Sequence, residues 1–281
     1  MKIDSHHHFW KYSPEEYGWI DGSMKGIRRD FLPCDLEKEM QVVGVDGVIS
    51  VQARTTLEET RWLLDLADQT DWIQGIVGWV PLVDPRVESV LEEFSQNRFL
   101  KSVRHILQAE PDEFFTRSDF NRGLTYLKKA GLAYDLLIQE KQLPVSIELV
   151  DRHPDQVIIL DHIAKPKIKE GEIEIWRRNI RELAKRSNVH CKISGMVTEA
   201  DFENWTMESL EPYFETVLEA FGAERLLFGS DWPVCLVACG YRQWMEVVSH
   251  FMKKLSIDEQ AKIWGQNAIG IYHLNLTPGK R

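Results

Sequence analysis

A chain of 281 residues can bury a sizeable core, as one large α/β domain or two ordinary ones. Its 43% hydrophobic and 28% charged content is that of a soluble globular protein. The formal charge of −10 argues against a nucleic-acid partner, which wants a basic surface, although an anionic small substrate needs only a locally positive pocket.

Lys2–Ser5 reads as a first strand running into His6-His7-His8-Phe9-Trp10. In an extended chain, side chains two apart share a face. His6 and His8 therefore converge on one metal ion or one substrate oxygen, while His7 points the other way. An expression tag would carry more histidines and lack the flanking strand-and-aromatic pattern. Further strands are expected at Asp46–Val51, Ile73–Val80, Leu100–Leu107, Leu132–Leu137, Val157–Leu160, Val189–Ile193 and Arg225–Phe228. Between them run helical patterns at Leu36–Val43, Leu57–Asp68, Val87–Phe94, Phe120–Ala130, Gln139–His153, Trp176–Lys185, Leu210–Phe221 and Tyr241–Lys254. The strands are rich in Val, Ile and Leu with little alternation, which suits parallel strands covered on both faces. This alternation predicts a (β/α)8 TIM barrel occupying residues 1–281 as a single domain, with no linker dividing it. An additional C-terminal helix, Ser256–Ala268, opens with the capping-box pattern Ser256-Ile257-Asp258-Glu259 and would pack outside the barrel. The rival architecture, an open doubly wound sheet, needs a Gly-rich phosphate turn after an early strand, and none is present.

Cys34, Cys191, Cys235 and Cys239 form no CxxC pair, so thiols in a reducing compartment are expected. No charged-then-apolar leader opens the chain and no apolar run is long enough to span a bilayer, which points to a cytoplasmic protein without a membrane partner. Whether it forms a homo-oligomer is left open.

In such a barrel, chemistry gathers at the C-terminal ends of the strands. Those ends carry His6 and His8, Arg104-His105, Tyr134-Asp135, Asp161-His162 with Lys165-Pro166, Lys192 with Ser194-Gly195, and Gly229-Ser230-Asp231-Trp232-Pro233. Ionisable residues from this many segments on one rim point to a catalytic site.

The segments Ile3–Trp10, Val103–Gln108, Leu160–Pro166, Lys192–Gly195 and Phe228–Pro233, with Asn267-Ala268 near the end, resemble the amidohydrolase superfamily over nearly the whole chain. HxH alone is a weak signal; together with GSDWP after strand 8 and LDHxAKP at strand 6 it is strong. The resemblance is nearest to its lactonase branch, which opens sugar-acid lactones such as fucono- or rhamnonolactone, and it implies hydrolysis of a cyclic ester.

Ester hydrolysis needs a base for water, groups that hold the oxyanion, and a proton for the leaving alkoxide. Asp231 is the candidate base, with a helix N-cap before Pro233 as its plain alternative. His162 is the candidate for polarising the carbonyl, or else a structural histidine. His6 and His8 either bind a metal that activates water or hydrogen-bond the carbonyl. Arg104 is read as gripping substrate in a forked geometry, with a salt bridge to Asp161 as the competing reading. His105 divides evenly between pocket and core. Lys165 anchors substrate or is a solvated loop lysine, and Trp10 and Trp232 stack on a sugar ring or pack in the core.

One departure from the superfamily pattern concerns the metal. Strand 5 offers Tyr134 and Asp135 where metal-dependent members usually place a histidine ligand. His6, His8 and Asp231 could still hold a zinc or manganese ion with an open position, and a metal-free site is the competing expectation. A metal-dependent decarboxylase or hydratase acting on an unsaturated or aromatic acid is the alternative reaction class. A barrel retained only for binding is a third.

Overall fold

Eight strands, β1 (Ile3–His7), β2 (Gly47–Val51), β3 (Ile73–Gly78), β4 (Leu100–His105), β5 (Ala133–Leu136), β6 (Ile158–Leu160), β7 (Val189–Ile193) and β8 (Leu226–Phe228), form one sheet in chain order. Every pairing from β1 to β8 is parallel. The two edges meet where Asp231 N–H donates to His6 O and His8 N–H donates to Trp232 O, each at 2.7 Å. The computed structural model describes residues 1–275. Between the strands run α1 (Pro33–Val43), α2 (Leu57–Gln69), α3 (Val87–Phe94), α4 (Ser118–Lys129), α5 (Leu143–Arg152), α6 (Glu174–Leu183) and α7 (Met207–Phe221), and α8 (Tyr241–Phe251) follows the last strand. The (β/α)8 expectation therefore holds.

Helix ends follow local chemistry. Thr56 accepts from Glu59 N–H ahead of α2, and α1 starts on Pro33 and closes on left-handed Gly44. Ser256 and Glu259 cap each other as their spacing predicts, opening α9 (Ile257–Ala261). The expected final helix does not run unbroken: a π-helical turn, Lys262–Gln266, joins α9 to α10 (Asn267–Ile271). Nor does its end stay outside the barrel. Tyr272 and Leu274 join Ile3, Ile49, Val77, Ile159 and Leu227 in an apolar cluster that fills the floor of the barrel. A second, larger cluster lies between sheet and helices. Tyr134, Leu136, Ile158, Leu160, Cys191 and Ile193 belong to it, alternating with the inward-facing residues of their strands.

β1 departs from simple alternation, and the departure sets up the site. The strand runs on through His7 rather than stopping at Ser5. Its pairing with β2 shifts register between Asp4 and His7. This irregularity lets Ile3 on one side of it and His6 and His8 on the other all face inward, a change of parity that an unbroken strand cannot make. Among the described residues no helix is long and apolar enough to cross a membrane. All four cysteines are free, with Cys34 exposed and the other three buried.

Candidate active site

Four side chains from three rim segments converge above the barrel interior. One carboxylate oxygen, Asp231 Oδ1, lies 3.8 Å from His6 Nε2, 3.5 Å from His8 Nε2 and 4.0 Å from His162 Nε2. All four residues are buried. His7 points away, as the spacing predicts, and meets Ser50 Oγ at 2.9 Å.

The backbone that presents two of these groups is strained. His162, Ile163, Ala164 and Lys165 all have positive φ (52°, 49°, 64° and 48°), a turn of left-handed helix built from residues with side chains. Asp231 is also left-handed, with φ 58°. Each such residue costs about 1–2 kcal/mol, so the surrounding structure must hold it. Trp176 does so by donating its indole N–H to Ile163 O at 2.8 Å. Ser194 meets His162 Nδ1 at 2.9 Å. Two glycines make room: a Cβ on Gly195 would come within 2.6 Å of His162 Nδ1, and one on Gly229 within 2.7 Å of His6 Cβ.

A hydrogen-bond partner assigns the His8 tautomer. His8 Nδ1 lies 2.8 Å from Val51 O, which only accepts, so His8 carries its proton there and turns a lone pair inward on Nε2. His6 Nε2 lies 3.3 Å from His8 Nε2, and His6 Nδ1 lies 3.2 Å from both Lys192 Nζ and Asp161 Oδ1. Burial pushes His6 well below the ordinary histidine pKa; nearby Asp161 opposes this, and Lys192 and His162 add to it. Burial likewise lowers His162 to about 4, so both rings are neutral at pH 7. For Asp231, burial pushes the carboxyl up, but His162, His8 and Lys165 outweigh it and the net shift is down. Asp231 is therefore ionised.

Beneath this layer lies a paired ionic network. Lys192 Nζ bonds Asp135 and stands 3.0 Å from Asp161 Oδ1, and Asp161 Oδ2 accepts from Arg104 Nη1 at 3.0 Å. Tyr272 O–H donates to Asp135 Oδ2 at 2.9 Å from the barrel floor, and Ser102 O–H donates to Oδ1 at 2.6 Å.

The donor set fits a divalent ion. A tetrahedral ion with bonds of about 2.0–2.1 Å needs ligand atoms about 3.3 Å apart, close to the 3.3, 3.5 and 3.8 Å spacings of His6 Nε2, His8 Nε2 and Asp231 Oδ1. Asp161 Oδ1 is a buried atom without a hydrogen bond, 3.2 Å from His6 Nδ1. From there it can accept a proton carried on His6 Nδ1 when Nε2 is a ligand.

The remaining sequence-predicted residues divide. Arg104 is inward-facing but committed: Nε donates to Gln52 Oε1 at 3.0 Å and Nη1 to Asp161, so the salt-bridge reading is the one realised. Lys165 stays at the rim, 3.6 Å from Glu199. His105 requires correction as a pocket residue. Next to inward Arg104, it faces out of the barrel, stacks on Phe114 at 5.0 Å and pairs with Glu110 at 3.0 Å. Trp10 and Trp232 pack against Phe31, at 5.6 and 5.1 Å between ring centroids, and are almost wholly enclosed. Neither offers a free ring face to a sugar. Three residues given no role from the sequence prove to matter. Asp4, pushed up to about 6 by burial, accepts from Ser230 N–H, His6 N–H and Tyr241 O–H and so ties β1 to the loop after β8. Gln52 orients Arg104, and Glu199 pairs with Lys165. A charged or amide residue inside an apolar strand run was the signal available for Asp4 and Gln52.

The chain matches the amidohydrolase family over residues 3–274. It is 38% identical to the L-fucono-1,5-lactonase of Burkholderia multivorans over 98% of this chain and 96% of that one. It is 33% identical to the L-fucono-1,5-lactonase of Burkholderia ambifaria over 99% and 98%. A crystal structure of an amidohydrolase from Burkholderia multivorans with bound zinc superposes with a TM-score of 0.94 at 38% identity, covering 98% of this chain and 99% of that one.

Proposed function

The chain belongs to the amidohydrolase family, and on that premise we propose that it is a carboxylic-ester hydrolase that opens a sugar-acid lactone, of the fucono- or rhamnonolactone kind, to the free acid. The observation that carries the chemistry is the single oxygen, Asp231 Oδ1, set within 4.0 Å of three imidazole Nε2 atoms. Full-length similarity to two L-fucono-1,5-lactonases supports the substrate class.

Asp231, ionised and buried, takes a proton from a water molecule, whose oxygen attacks the lactone carbonyl carbon. In this reading His162 carries its proton on Nε2, facing the pocket, with Nδ1 turned to Ser194 Oγ at 2.9 Å. From there it stabilises the oxyanion of the tetrahedral intermediate. When that intermediate collapses, the bond from carbon to ring oxygen breaks, and Asp231 returns its proton to the departing alkoxide. His6 and His8 hold the carbonyl side of the substrate, or hold a zinc or manganese ion together with Asp231. When bound, such an ion supplies Lewis-acid polarisation and lowers the pKa of a coordinated water. Lys165 anchors the substrate from the rim. The domain assignment, residues 1–281 as one unit, is part of the same proposal.

A hydrolysis screen with a pH indicator over aldono-1,4- and 1,5-lactones, run with and without chelator, tests this reading. Turnover of at least one hydroxylated lactone is expected. If none is opened while an aromatic or unsaturated acid is decarboxylated, the decarboxylase reading takes its place. Metal content measured on protein purified without chelator separates the two modes of His6 and His8.

A further inference from the structure

The chemistry above leaves one charged pair at the mouth of the site without a complete role. Lys165 Nζ lies 3.6 Å from Glu199 Oε1, and the two side chains are 25% and 26% exposed. Among the described residues neither side chain has another hydrogen-bonding or ionic side-chain partner. The deeper pairs differ: Lys192, Asp135, Asp161 and Arg104 are all enclosed and leave no face for a ligand.

Both members of the rim pair are rigidly presented. Lys165 ends the left-handed turn that begins at His162. Glu199 closes the short 3-10 turn Val197–Glu199, pinned by Thr198 O–H donating to Gly195 O at 2.7 Å. Lys169 N–H donates to Glu199 O at 3.0 Å and joins the loops after β6 and β7. The pair also sits within electrostatic reach of the reacting groups. The Lys165 charge acts on His162 and Asp231, and burial together with the Asp231 charge pushes Glu199 up against the pull of Lys165. A cleft of about 640 Å³, lined by Ser23, Lys167, Lys169, Thr198, Glu199 and Asn204, opens beside it.

At 3.6 Å the two charges stand further apart than the 2.7–2.9 Å or so of a closed charge-assisted hydrogen bond. The ammonium keeps protons to donate and the carboxylate keeps lone pairs. A vicinal diol needs this combination, one donor for an oxygen and one acceptor for the neighbouring O–H. We propose that Glu199, set against Lys165, is the hydroxyl-reading residue of the site: Lys165 donates to one ring hydroxyl, Glu199 accepts from the next, and the preferred substrate is a lactone with adjacent hydroxyls facing the loops after β6 and β7. This assignment rests on the lactonase reading.

The test measures kcat/KM for a polyhydroxylated aldonolactone and for unsubstituted δ-valerolactone, in the wild type and in Glu199→Ala, Glu199→Gln and Lys165→Met. The ratio of the two values reports hydroxyl reading alone. In Glu199→Ala and Lys165→Met it should fall about 10- to 100-fold, chiefly through KM for the sugar lactone, the loss expected for a charge-assisted hydrogen bond. Glu199→Gln retains an acceptor and should fall less. A double variant, Lys165→Met with Glu199→Ala, should lose little more than either single one, because the two residues act on one diol. An unchanged ratio in Glu199→Ala, whether both substrates slow equally or neither does, overturns the assignment. A wild-type enzyme that opens none of the aldonolactones of the screen overturns the lactonase reading itself, and this assignment with it. Both side chains are partly exposed, and thermal unfolding of each variant identifies any loss that comes from folding.

Discussion

Two layers of polar residues share the interior of this barrel and are organised in opposite ways. In the lower layer, two cations, Lys192 and Arg104, face two carboxylates, Asp135 and Asp161, with Ser102, Tyr272 and Gln52 taking up further bonds. Charge balances there, as burial in a low-dielectric interior demands. In the upper layer, one carboxylate, Asp231, faces three imidazoles, of which burial keeps His6 and His162 neutral. That layer carries a single carboxylate, an inward lone pair on His8 Nε2 and strained backbone. It suits a group that arrives, whether a proton, a cation or a polarised carbonyl. The lower layer holds the upper one in place by fixing His6 through Lys192.

The sharpest way to break this division is to exchange single residues between the two categories of effect. Asp231→Asn removes the base without disturbing the lower layer. It should lower kcat/KM for the turned-over lactone by about a thousand-fold or more, with far-UV circular dichroism unchanged. Near-normal turnover would exclude Asp231 as the base. Lys192→Met does the reverse: it strands Asp135 in the core and leaves Asp161 with Arg104 as its one cation. Equilibrium urea unfolding should show a loss of about 3–5 kcal/mol, the usual cost of breaking a buried ion pair. A loss below about 1 kcal/mol would mean that the lower layer does not need its cation.

The smallest expected effect concerns pH. His162 has its pKa lowered to about 4 in the folded chain, against an ordinary value of 6.5. The unfolded chain therefore binds more protons between these values, and stability rises with pH across the window and is lost as pH falls through it. Between pH 7 and pH 5 this one group accounts for about 2 kcal/mol of lost stability. His162→Gln should show a correspondingly shallower decline in parallel urea titrations. Equal declines in the two proteins would mean that His162 is already charged when folded.

Much of the barrel was legible because its causes are local. Val, Ile and Leu runs of strand length alternate with amphipathic stretches of helix length, and the Ser256-to-Glu259 capping box marks a helix start that the structure contains. The facing of His6 and His8 followed from the two-residue period of a strand, although the register shift that restores their inward direction after Ile3 did not. Arg104 and His105 show where local reasoning stops. Adjacent on one strand, they point to opposite faces, and nothing in their own neighbourhood says which face is the pocket. Trp10 and Trp232 flank the strongest motifs, yet their rings close on Phe31 from a loop far along the chain.

The sequence by itself determined the repeating strand–helix order and the small set of imidazoles and carboxylates available for chemistry, because hydrophobic period and residue type are written residue by residue. Only the tertiary structure decided which of those groups meet, which are neutralised beneath them, and that Glu199 stands beside Lys165 at the mouth. Distances of 3–4 Å between residues from different strands arise from barrel closure and burial, and no local period encodes them.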